Sequence, residues 1–209
     1  MSTLWIKICG ITRPEDARAA AQAGADALGV VFHAPSRRAV DAARLAEIMA
    51  DVPESVQRVA LFVDPPRELV ERVCATGCID WLQFHGDEDA AFCASFRRPY
   101  LKALSMRQGI DVERLAGEHE AAELLLLDAF DEKAPGGTGK TFDWSRTRSL
   151  PDSIRGKLVL AGGLTPANVA AAVAEVDPFG VDVSTGVERS PGIKDADKIR
   201  MFIKGARNG

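Results

Sequence analysis

The stretch LWIKICGITRPEDARAAAQAGADALGVVF (residues 4–32) holds a strand, a helix and a second strand in succession. LWIKIC is a short apolar run with aromatic and β-branched residues, and Gly10 follows it at once, so the strand ends in a turn. Pro14 sets φ for a first helical turn, and Glu15 and Asp16 fall where a helix N-terminus favours negative charge. The alanine-rich segment runs to Gly24, a helix stop, and DALGVVF resumes the apolar pattern. Two strands joined by a helical crossover lie parallel, because the helix carries the chain back to the end of the sheet from which it started.

Further along the chain the same alternation continues. Six more strand candidates follow the first two: QRVALFV (57–63), DWLQFH (80–85), YLKAL (100–104), ELLLLD (123–128), KLVLAG (157–162) and FGVDVS (179–184). Amphipathic segments such as PRELVERVCATG, TPANVAAAVAEV and KDADKIRMFIKGAR lie between and after them, with Thr165 before Pro166 and Asp195 as helix-start signals. The sixth helix, expected around DWSRTRSL, has the weakest pattern. Eight strands each followed by a helix predict an α/β protein, a (β/α)₈ TIM barrel, in preference to a doubly wound open sheet. The 209 residues allow about 26 per unit, near the minimum for such barrels, so residues 1–209 are expected to form one domain with few insertions. The longest loop candidate is DEKAPGGTGKTF (131–142), after the sixth strand.

Composition narrows the function. Hydrophobic residues at 46% and charged residues at 27% are ordinary globular usage, which excludes disordered and fibrous classes. A net charge of −4 supplies no general field for nucleic acid or an anionic membrane, so neither is expected as a partner. The opening residues lack a signal-peptide pattern and no apolar run is long enough to span a bilayer, so a cytoplasmic protein is expected. The four cysteines form neither a disulfide framework nor a CxxC metal motif. Cys74, Cys78 and Cys93 read as packing residues.

A barrel of this kind places its chemistry at the C-terminal strand ends. Cys9, His33, Asp64, His85, Asp128, Gly162 with Gly163, and Ser184 with Gly186 stand there. Side chains alternate along a strand, so inward Cys9 implies inward Lys7 and Trp5, inward Asp128 implies inward Leu124 and Leu126, and Asp182 pairs in direction with Ser184. Asp128 closes the run LLLL, where a carboxylate is costly to bury unless it serves a site or is hydrogen-bonded. Inward Lys7 is expected to favour the thiolate of Cys9. A carboxylic acid and a thiol at one barrel mouth suit paired acid–base chemistry. His85 and His33 could compete for either role or simply bond to a neighbour at the rim. Arg37 and Arg38, in SRR, could meet a carboxylate or form a solvated pair. The seventh and eighth loops, AGGLTPANV and VSTGVERSPGIKD, are rich in glycine and hydroxyls. They suggest a phosphate site built from Gly162, Gly163, Ser184, Thr185 and Gly186.

Together KICGITRPEDARAAAQAGADALGVVFHAPSRRAV, LQFHG, LLLLDAF, GGTGKTFDW, LAGGLTPANV and VDVSTGVERSPGIKD resemble the N-(5′-phosphoribosyl)anthranilate isomerase family of tryptophan biosynthesis. The resemblance runs from Lys7 almost to the C-terminus. It implies a barrel enzyme with no cofactor and no metal, acting on a small phosphosugar by an Amadori rearrangement, as a monomer or a homodimer. It further implies that Cys9 is the general base and Asp128 the general acid. Arg38 and Asp182 would lie near the anthranilate, and GGL (162–164) with STG (184–186) around the phosphate; His85, from its place at a strand end, is expected to bind substrate. A histidine-pathway isomerase is the nearest rival; such barrels pair two aspartates, whereas a cysteine ends the first strand here. A non-catalytic phospholigand sensor would need neither Cys9 nor Asp128.

Overall fold

The computed structural model describes residues 4–106, 110–128, 144–147 and 150–209. Eight parallel strands close into a barrel in chain order: β1 (Trp5–Cys9), β2 (Ala27–Val31), β3 (Gln57–Phe62), β4 (Trp81–Phe84), β5 (Tyr100–Ser105), β6 (Leu124–Asp128), β7 (Leu158–Leu160) and β8 (Gly180–Val183). β1 pairs with both β2 and β8, with Lys7 opposite Ala27 on one side and Asp182 on the other, which seals the barrel. Outside it lie α1 (Pro14–Gln22), α2 (Leu45–Met49), α3 (Arg67–Ala75), α4 (Ala90–Ala94), α5 (Val112–Glu118), α6 (Asp152–Arg155), α7 (Val169–Val176) and α8 (Ala196–Arg207). No helix among the described residues is long and apolar enough to cross a membrane.

Strand alternation sorts the side chains into two cores. Ile6, Ile8, Leu125, Leu127, Val181 and Val183 face outward into the large cluster shared with the helices. Trp5, Ala27, Val59, Leu101, Leu124, Leu126 and Val159 fill the barrel interior, with Cys9, Val31 and Leu61 in a smaller cluster towards the mouth. The inward and outward assignments for β1, β6 and β8 therefore follow the expected parity. Each fully buried leucine of the LLLL run contributes about 1.5–3 kcal/mol of transfer free energy, enough to fix β6 and its terminal carboxylate in place.

Two helix expectations are corrected. Among the described residues around DWSRTRSL there is a 3₁₀ turn at Trp144–Thr147, and the sixth helix is the short α6 that follows. Thr165 does not cap α7: its Oγ1 accepts from Ala167 N at 3.3 Å and its N donates to Asn168 Oδ1 at 2.7 Å, which makes a turn first and delays the helix to Val169. Asp195 does cap α8, accepting from the backbone N–H of Asp197 and Lys198. The loop candidate at 131–142 lies outside the described residues. The eighth loop adds a 3₁₀ turn at Thr185–Val187 and a small antiparallel hairpin, β9 (Glu188–Ser190) with β10 (Ile193–Lys194).

Candidate active site

A cavity of about 380 Å³ opens at the C-terminal ends of the strands. Cys9, Arg38, His85, Asp128, Gly162, Gly163, Asp182, Ser184, Thr185 and Gly186 all line it, so residues scattered through the sequence meet at one mouth. His33 also lines it, whereas Arg37 is exposed away from it. Asp64 serves the rim instead, its Oδ1 accepting from Asp87 N at 2.7 Å.

Beneath Cys9 a charge pair is buried inside the barrel. Lys7 Nζ donates to Asp182 Oδ1 at 2.9 Å, and the lysine is 0% exposed. A Cβ placed on Gly29 of the neighbouring strand would lie 2.8 Å from Cys9 Sγ and 3.0 Å from Lys7 Nζ, so only glycine leaves room for both groups. Burial works against the Lys7 charge, but Asp182 and Cys9 outweigh it and hold its pKa above the usual lysine value. For Cys9, burial pushes the thiol up, while Lys7 and Lys194 pull it down and Asp182 opposes them; the net shift is upward. The expected pull of Lys7 towards thiolate is thus present and outweighed by desolvation.

Asp128 stands three strands away round the barrel. Its Oδ2 lies 3.1 Å from His85 Nε2, and His85 Nδ1 lies 3.3 Å from Gln83 Nε2. An amide NH₂ only donates, so in this arrangement Nδ1 accepts, the ring proton sits on Nε2, and His85 donates to Asp128. Gln83 is fully buried, and its Oε1 has no partner among the described residues. Behind this rim Lys102 Nζ donates to Glu88 Oε2 at 2.7 Å and to the Gly86 carbonyl at 2.6 Å, while Glu88 accepts from the backbone N–H of Asp64 and Gly86. That buried clamp ties the loops after β3 and β4 and so sets where His85 stands.

The glycine-rich loops after β7 and β8 touch. A Cβ at Gly186 would collide with the Leu164 carbonyl oxygen, so any larger residue would drive the two loops apart. Ser184 directly precedes the 3₁₀ turn, and the start of a helical segment directs its backbone N–H groups and their partial positive charge towards the side from which an anion would approach. Among the described residues no group of three His, Cys, Asp or Glu side chains is disposed to hold a metal.

The family model for N-(5′-phosphoribosyl)anthranilate (PRA) isomerase matches residues 6–205. The chain belongs to the N-(5′-phosphoribosyl)anthranilate isomerase family. It is 51% identical over 209 residues to the N-(5′-phosphoribosyl)anthranilate isomerase of Alcanivorax borkumensis, covering 97% of this chain and 94% of that one. Phosphoribosyl anthranilate isomerase from Thermotoga maritima superposes with a TM-score of 0.90 at 39% identity, over 99% of this chain and all of that one. A phosphoribosyl anthranilate isomerase solved with reduced 1-(o-carboxyphenylamino)-1-deoxyribulose 5-phosphate gives a TM-score of 0.86 at 38% identity, over 99% and 100% of the two chains. Within this family frame three buried residues that support the cavity lining without belonging to it carry no role in the motif reading: Gln83, Glu188 and Lys194. Gln83 shares the inward parity of His85, which is the signal that could have found it. Glu188 and Lys194 belong to a hairpin whose formation the sequence pattern does not announce.

Proposed function

We propose that this chain catalyses the Amadori rearrangement of N-(5′-phosphoribosyl)anthranilate to 1-(2-carboxyphenylamino)-1-deoxyribulose 5-phosphate in cytoplasmic tryptophan biosynthesis. The observation that carries the reading is the opening of Cys9 and Asp128 onto one cavity, beside an arginine and two touching glycine-rich loops. The protonated carboxyl of Asp128 gives its proton to the furanose ring oxygen as the C1–O bond breaks, and the anthranilate nitrogen lone pair forms the C1=N bond. The thiolate of Cys9 takes the C2 proton, and the C–H electrons form C1=C2, neutralising the iminium. The resulting enolamine loses its O2 proton and gains one at C1 to give the ketone. Every step is a proton transfer, so two positioned side chains suffice and no cofactor is required.

Substrate binding divides over the same mouth. Gly162, Gly163, Ser184, Thr185 and Gly186 hold the phosphate through backbone N–H groups and hydroxyls. Arg38 meets the anthranilate carboxylate, and His85 steadies Asp128 beside the ring oxygen. Asp182 acts through Lys7, keeping that cation under Cys9. Anchoring the phosphate supplies the alignment of C2 with the sulfur.

The test is the fluorescence decrease as freshly made phosphoribosylanthranilate is consumed. Turnover by the parent, with losses of about 10²–10⁴-fold in Cys9→Ala and in Asp128→Asn, is expected. No turnover by the parent, or undiminished turnover in both variants, would falsify the reading.

A further inference from the structure

Among the described residues lining the cavity, Arg38 is the one guanidinium. Its Nε donates to Glu188 Oε1 at 2.6 Å and its Nη2 to Glu188 Oε2 at 2.7 Å, a two-point grip, with Thr185 Oγ1 a further 3.3 Å contact of Nη2. The grip leaves the Nη1 end, with two N–H groups, outside it. Glu188 is itself immobilised: Lys194 Nζ approaches Oε1 at 3.1 Å, Gly192 N donates to it at 3.3 Å, and Lys198 Nζ holds the Glu188 carbonyl at 2.8 Å. Lys194 in turn donates to the Ser184 carbonyl at 3.0 Å, and its backbone N–H reaches Asp16 Oδ2 at 3.1 Å. The Arg38 stem lies against Gly10, where a Cβ would come within 2.6 Å of Cδ.

We infer that Glu188 is a positioning residue: it clasps Arg38 side-on, fixes it, and leaves its Nη1 end to receive a carboxylate carried on the substrate's aromatic ring. The inference rests on the proposed substrate and deepens it by naming what sets the preference for a carboxylated ring. An arginine without this clasp would lose rotamer freedom on meeting the ligand; here that cost is met in folding. Arg38, Glu188 and Lys194 together carry one net positive charge, matched to one anionic group.

The experiment compares two product analogues, reduced 1-(o-carboxyphenylamino)-1-deoxyribulose 5-phosphate and the phenylamino compound lacking the carboxyl, bound to the full chain by calorimetry. The parent is expected to prefer the carboxylated analogue by about tenfold or more. Glu188→Gln is expected to abolish most of that preference while binding the plain analogue as before, to raise KM, and to change kcat by less than about threefold. In an Arg38→Met background Glu188→Gln should change the preference no further. A folded Glu188→Gln protein with the parent's preference overturns the inference. If that variant does not fold, Glu188→Asp, which keeps the charge beside Lys194 and falls one methylene short of Arg38, is read by the same ratio. Failure of both variants to fold assigns Glu188 to folding alone and equally overturns it. A parent that turns over no phosphoribosylanthranilate refutes the substrate reading instead, a result visible before any variant is made.

Discussion

The two sides of the mouth are built on different principles. Around Cys9 the interior is crowded with charge: Lys7 with Asp182 beneath the sulfur, and the Arg38, Glu188 and Lys194 cluster beside it. Asp128 instead closes a strand of buried leucines, and among the described residues the side-chain partner of its carboxylate is one imidazole at 3.1 Å. A thiol is an indifferent base until its anion is stabilised, and for the base role proposed for Cys9 the surrounding cations counter part of the cost of burial. A carboxyl that hands over a proton, as proposed for Asp128, needs a fixed direction more than it needs charge, and a packed strand end with the His85 imidazole beside it supplies that.

The sharpest way to break this contrast is to remove the buried cation. Lys7→Met leaves Asp182 as a buried carboxylate without its partner, and a loss of about 3–5 kcal/mol in urea-unfolding stability is expected. The Lys7→Met, Asp182→Asn double variant should cost less than the sum of the single changes. On the other side His85→Ala removes a half-buried hydrogen bond, and about 0.5–1.5 kcal/mol is expected. Equal losses on the two sides would refute the contrast.

The pH profile is the next test. Burial raises the Cys9 pKa, and in the proposed mechanism the thiolate is the working form, so activity should climb with pH from neutrality into the alkaline range. A rise in kcat/KM of about tenfold per pH unit is expected below the thiol pKa, and iodoacetamide labelling of Cys9 should follow the same curve. A flat profile from pH 6 to 9, roughly the span over which ordinary thiols begin to ionise, would mean that Cys9 is not the titrating base.

A smaller effect attaches to Gln83. Gln83→Leu removes the group that holds the His85 ring proton on Nε2, and a fall in kcat of about two- to tenfold is expected. Imidazole ¹⁵N shifts should show a mixed tautomer in that variant and a single one in the parent. Smallest of all is Cys93→Ala. Burial pushes this thiol up to about 12, and it sits in the helix layer outside the barrel. Unchanged turnover and a stability loss of about 1 kcal/mol are expected, which would show that burial alone does not make a cysteine of this chain functional.

Much of this was readable beforehand because alternation carries so much information in a parallel barrel. ELLLLD and LWIKIC each fix the direction of their terminal residue once one face is known, and both Cys9 and Asp128 turn inward as that parity requires. The strand ends fell within a residue or two of their expected bounds, since an apolar run stops where the chain meets water. What stayed hidden was pairing at long range. Nothing in VERSPGIKD announces that Glu188 will clasp a side chain 150 positions earlier, and Glu88 with Lys102 looks like surface charge until a loop folds over it. The net effect on the Cys9 thiol was likewise unreadable, because it is the difference between two large opposed influences, burial and Lys7.

The seam between β1 and β8 sets a timetable. Lys7 emerges early from the ribosome and must wait for Asp182, 175 residues later, which at ordinary rates of synthesis takes roughly ten to thirty seconds. Until then the ammonium that will sit beneath the sulfur lacks Asp182, and closing the first strand into a dry interior would bury an unpaired charge. Cys9, Arg38 and the glycine loops therefore assemble in the last moments of translation. A nascent or truncated chain would carry the cysteine and the aspartate yet have no mouth in which to use them.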